Sequence, residues 1–111
     1  MLIGIISDAS HAEILLNNLS EADFNLADVS ILMSDIKQRN LIAKDKGPMK
    51  GWDAGNLIAN LVKKGLPSPK AEYCAQAIKQ GKVLFAMKIT PDLRSAASEM
   101  IKDNSGEIIQ E

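Results

Sequence analysis

Asp8, Ser10 and His11 lie together in one short stretch, and a later Ser-Asp pair, Ser34-Asp35, repeats the Ser7-Asp8 pair before them. Carboxylate, imidazole and hydroxyl are the groups from which acid/base and nucleophilic sites are assembled. Asp8 and Asp35 each follow an apolar, strand-like run, so in a sheet where those strands run parallel both carboxylates reach the same end. That placement invites an acid/base pair. The local alternative is that each Asp starts a helix, where its side chain accepts an unpaired N–H and is favoured by the helix dipole. The sequence favours the local reading, because an intervening strand would hold the two carboxylates too far apart to share a proton. His11 beside Asp8 and Ser10 is only a fragment of a triad: triads draw on separate elements, and no Gly-x-Ser-x-Gly turn is present. An exposed His at a helix start is expected.

Cys74 would be a nucleophile only if a helix N-terminus or a base stabilised its thiolate. Its place between Ala71 and Ile78 on an apolar helical face makes it a core residue instead. One Cys and one His leave too few soft ligands for zinc, and neither Gly-x-Gly-x-x-Gly nor a Walker-type loop occurs. No metal or other cofactor is expected. The remaining unusual feature is the recurrence of Gly47, Gly51 and Gly55 at four-residue spacing. On a helix, Gly51, Gly55 and Ala59 would line one small-residue face that a second helix could approach closely, with Trp52 and Val62 beside it. Equally, Gly47 and Gly51 could belong to a loop around Pro48, since Gly inside a helix costs roughly 1 kcal/mol relative to Ala.

The elements that position these residues follow from periodicity and capping. Leu2 to Ile6 is a continuous apolar run, the pattern of a strand covered on both faces. Ser10 with Glu13 forms a capping box that opens a helix over His11 to Ala22, with Ala12, Leu15, Leu16 and Leu19 on its apolar face. Val29 to Met33 is a second strand. Asp35 and Gln38 could open a short polar helix ending at Gly47. A longer helix is expected over Met49 to Lys64, with Leu57, Ile58 and Leu61 as its buried stripe. Ser68 and Pro69 start the next helix, whose buried face is Ala71, Cys74, Ala75 and Ile78 and which stops at Gly81. Val83 to Ile89 is the clearest strand and should be central. Thr90 and Pro91 repeat the helix start, Leu93, Ala96, Ala97 and Met100 form that helix's apolar face, and Ile108-Ile109 is a short last strand. The expected fold is α+β: two βαβ halves forming a four-stranded, ferredoxin-like split-βαβ sheet, with additional helices between the halves. The whole chain, 1–111, reads as a single domain.

Composition narrows the function classes. Apolar residues make up 46% of the sequence and charged residues 24%, a balance that supports a folded core. The net charge of −1 provides no field drawing the chain to nucleic acid, and Phe85 is the only aromatic expected in a strand, which removes the stacking platform of single-strand RNA readers. The Leu2 to Ile6 run is too short for a signal peptide, and Asp53 to Val62 is too short and polar to span a bilayer. No integral membrane segment is expected, and a cytoplasmic location is.

Ile3-Gly-Ile-Ile-Ser-Asp8, Asp28-Val-Ser-Ile-Leu-Met-Ser-Asp35 and the segment Ala71 to Met87 resemble the opening and closing blocks of bacterial general-stress and heat-induced stress proteins. Those proteins carry a long Gly-rich centre, of which Gly47 to Pro67 would be a shortened, more charged version. The resemblance implies self-association or membrane contact, with the shortened centre arguing against membrane insertion, and it implies no established catalytic residues. The expectation is therefore a non-catalytic, stress-associated interaction domain that forms a homo-oligomer, most simply a dimer, through Gly51, Trp52, Gly55, Ala59 and Val62. The alternative is a small-ligand sensor or enzyme using Asp8, Ser10, His11 and Asp35.

Overall fold

The computed structural model describes residues 1–43 and 45–111. Its elements are β1 (Leu2–Ile6), α1 (Ala9–Glu21), β2 (Val29–Leu32), α2 (Ile36–Ile42), α3 (Leu57–Lys63), α4 (Ser68–Lys79), β3 (Val83–Met87), α5 (Pro91–Asp103) and β4 (Gly106–Gln110). Short 3-10 turns lie at Leu26–Asp28 and Ala54–Asn56. The fold is α+β with one four-stranded sheet in the order β2-β3-β1-β4, and every neighbouring pair is antiparallel. This order is compatible with the expected split-βαβ arrangement, and β3 is internal as its unbroken apolar sequence requires.

The sheet is covered on both faces. Leu2, Ile6, Val83, Phe85 and Met87 point into one core with Leu15 and Leu19 of α1 and Ala97 and Ile101 of α5. Ile3, Ile5, Leu84 and Ala86 point into the other, with Leu57 and Leu61 of α3 and Ala71, Cys74 and Ile78 of α4. Alternation along each strand thus feeds two apolar layers, which explains why β1 and β3 have no polar face. α5 approaches β4 so closely that a Cβ on Gly106 would collide with the Ile101 carbonyl oxygen.

Several boundaries differ from expectation for local reasons. α1 is capped by Asp8, whose carboxylate accepts the His11 N–H at 2.9 Å; Ser10 lies inside the first turn. Both positions satisfy the i to i+3 capping rule, and the earlier one has the extended backbone a cap needs. Ser68 is the first residue of α4 rather than its cap, and Thr90 holds the cap position of α5 without a hydroxyl cap bond. α5 is rotated relative to the expected face: Ala97, Ser98 and Ile101 are buried, and Leu93 is exposed. α2 stops at Ile42, well before Gly47; Lys44, within the expected helix, lies outside the described residues.

The largest correction concerns the middle. No helix runs from Met49: α3 begins at Leu57, and Gly47 and Gly51 have φ values of +74° and +81°, a left-handed backbone that helices exclude. Gly51, Gly55 and Ala59 therefore do not form one helical stripe. The 45–53 segment is instead a loop pinned to the edge strand β2. Ser30, buried within β2, donates its hydroxyl to the Lys46 carbonyl and accepts the Met49 N–H at 2.7 Å. Gly47 lies so close that a Cβ there would stand 2.6 Å from the Val29 carbonyl carbon.

Candidate functional site

β1 and β2 both point their C-terminal ends toward the start of β3, since Ile6 pairs with Val83 and Leu32 with Leu84. Asp8 and Asp35 consequently sit at one end of the sheet, with β3 between their strands. Two inter-strand steps separate β1 from β2 by about 10 Å, so the carboxylates cannot share a proton. Each serves a helix: Asp8 caps α1, and Asp35 caps α2 by accepting the Gln38 N–H at 3.0 Å.

His11 turns back over this cap, its Nδ1 lying 2.8 Å from Asp8 Oδ1. The Ser7 hydroxyl lies 3.4 Å from the same Nδ1. In a nucleophile, base and acid relay the imidazole uses one nitrogen toward the carboxylate and the other toward the hydroxyl. Here both neighbours meet one nitrogen, so no proton path runs from hydroxyl to carboxylate. Ser10 makes none of these contacts, and both Asp8 and His11 are exposed enough to be screened by water. The His11 backbone N–H, followed by its side chain, holds the Asp8 carboxyl below its ordinary range. That shift reports capping, and the Asp8, Ser10, His11 and Asp35 set is not brought together.

Cys74 is fully buried, and burial pushes its thiol up to about 11, against the direction a nucleophile requires. Tyr73 on the exposed side of α4 donates to Glu107 at 2.7 Å and thereby ties the helix to the edge strand β4. Among the described residues, no group of three His, Cys, Asp or Glu side chains could hold a metal ion.

Two clefts lie on either side of α2. The larger, about 350 Å³, is bounded by Leu16, Asn17 and Ser20 of α1, by Leu26, and by Asn40 and Leu41 of α2. The other, about 230 Å³, lies at the Asp35 end of the sheet and is lined by Met33, Ile36, Arg39, Asp45, Trp52 and Asp53 among others. Sequence reasoning missed this second site, because Arg39 comes from a polar helix without a motif and Trp52 from a segment expected to be helical. Of the five residues expected to form an interface, Gly51 and Trp52 line this cleft, Gly55 is exposed within the Ala54–Asn56 turn, and Ala59 and Val62 lie on the exposed side of α3. No helix is long and apolar enough to cross a membrane among the described residues. No protein-family model matches the chain, and neither curated proteins nor solved structures give a significant match.

Proposed function

We propose that this chain is a non-catalytic, stress-associated interaction domain of ferredoxin-like topology that acts in the cytoplasm and pairs with a second copy of itself through the outer side of α3. One observation carries the reading. α3 carries apolar residues well beyond its buried stripe: Leu57 and Leu61 are fully buried in the core shared with α4 and the sheet. Ile58 and Val62, one turn apart and about 100° round the helix from them, are each 42% exposed with Ala59 beside them, leaving Asn60 and Lys63 as its polar residues. Exposed apolar residues grouped in one patch, rather than scattered singly, mark an interaction surface. Lys63 and Lys64 border this face, a polar rim of the kind that surrounds an interface core. A two-fold dimer, the commonest closed assembly of identical chains, would lay one α3 across its symmetry mate.

The finer reading of the fold is supported by the strand order and by α1 and α5 sharing one face of the sheet, as the crossover helices of two split βαβ halves do. α3 and α4 then form an added layer on the opposite face. The stress association rests on the resemblance of the β1, β2 and α4-β3 blocks to general-stress proteins. Val62→Asp tests the interface, because it places a charge at the centre of the proposed contact without touching the buried Leu57 and Leu61. The variant should run as a monomer, and its urea midpoint should match that of the wild type at concentrations where the wild type is itself monomeric. A variant that still dimerises would move the interface off α3 and overturn the proposal.

A further inference from the structure

We propose that the cleft between α2 and the 45–53 loop binds a small zwitterion with an apolar side chain, of the free α-amino-acid class. Three features converge there. Arg39 has five N–H donors, of which only one finds a partner among the described residues, Nη2 to Asn40 Oδ1 at 3.3 Å; its Nε is buried with none. Asp45 and Asp53 line the same cleft, yet the only side-chain ion pair within 4 Å among the described residues is His11 with Asp8. Their carboxylates hold the loop, Asp45 by accepting the Gly51 N–H and Asp53 by accepting from Asn56, and each keeps acceptor capacity to spare. Met33, Ile36 and Trp52 supply the apolar wall.

The balance of charge selects the ligand. One guanidinium and two carboxylates repel a polyphosphate, and the guanidinium repels a bare divalent cation. A molecule bearing both signs satisfies all three groups: its carboxylate meets the Arg39 fork, its ammonium faces Asp45 and Asp53, and its side chain lies against Trp52. The volume agrees, since about 230 Å³ is below the ~300 Å³ at which drug-sized ligand sites begin. None of Asp8, Ser10, His11 and Asp35 lines the cleft, and the site is independent of the α3 surface proposed for self-association.

Trp52 is the only tryptophan in the chain, so its fluorescence reports on this cleft alone. The full-length protein is titrated with L-leucine, L-methionine and L-alanine, and with 4-methylpentanoate and 3-methylbutylamine, which keep the leucine side chain but lack the ammonium or the carboxylate. Each is taken to about 10 mM, tenfold above a millimolar dissociation constant. Leucine or methionine should give a saturable change in emission, with alanine and both truncated analogues about tenfold weaker or worse. Arg39→Gln should weaken leucine by about tenfold or more, while retaining the wild-type circular dichroism spectrum. Should that variant unfold, Asp45→Asn serves instead and should weaken leucine while sparing 4-methylpentanoate. No saturable change with any of the L-amino acids tested would overturn the site. Equal binding of leucine and 4-methylpentanoate would overturn zwitterion recognition.

Discussion

Replacing Ser30 by Ala removes the hydroxyl that joins the 45–53 loop to β2. The Met49 N–H, on a residue only 2% exposed, would then be buried without an acceptor, at a cost of about 1–3 kcal/mol. The Lys46 carbonyl would lose its donor too, but Lys46 is exposed and water can replace it, adding little. The expected loss is therefore about 2 kcal/mol, a large share of the ~5–15 kcal/mol that stabilises a typical domain. In urea, with a slope of about 1–3 kcal/mol per molar, the midpoint should fall by roughly 1 M at unchanged slope. A local signal should accompany it. The Trp52 backbone N–H donates to the Met49 carbonyl at 3.0 Å, so loosening Met49 should release the Trp52 backbone and shift its emission toward that of a hydrated indole before global unfolding begins. A midpoint change equivalent to less than about 0.5 kcal/mol, the scatter of ordinary surface substitutions, would refute the idea that Ser30 anchors this loop.

Two further outcomes follow from the same structure. At pH 8 a thiol whose pKa is pushed up to about 11 is only about one part in a thousand thiolate, against roughly a quarter for an ordinary Cys. Native Cys74 should therefore react with a disulfide reagent more than about a hundredfold slower than the urea-unfolded chain, and equal rates would show that α4 does not bury it. Because the Asp8 carboxyl is held below its ordinary value of 3.8 in the folded state, its cap stabilises the fold above that value and is lost as the pH falls through the lower, folded one. Acidification below about pH 4 should thus destabilise the wild type more steeply than Asp8→Asn; parallel urea midpoints across that range would show the cap to be unimportant.

The parts of the fold legible in the sequence were those fixed by side-chain pattern. The unbroken apolar runs of β1 and β3 encode strands covered on both faces, and the pairs Ser7-Asp8 and Ser34-Asp35 mark where strands give way to helices. The 45–53 loop was legible only as one of two equal readings, because four-residue glycine spacing fits a helix face as well as it fits the two left-handed backbone positions found around Pro48. What decides between them is the docking of Gly47 against Val29 and Ser30, a tertiary contact that no local window contains. Ser30 offered the one available hint, a hydroxyl in an otherwise apolar strand that must find partners when buried. The same limit applies to the clefts. Arg39, Asp45, Trp52 and Asp53 carry no motif and come together only because the loop folds back along β2 beside α2. Asp8 and His11 did form a recognisable cluster, and the structure turns it into a helix cap.

The central claim, that this domain associates with itself through the outer side of α3, is tested most directly by multi-angle light scattering of the wild type from about 1 µM to about 1 mM, the range over which contacts of roughly 8 to 4 kcal/mol become populated. The mass should rise from that of one 12.0 kDa chain toward twice that value as concentration increases, and Val62→Asp should remain at the lower value throughout. A wild type that keeps the monomer mass at the highest concentration would contradict the claim.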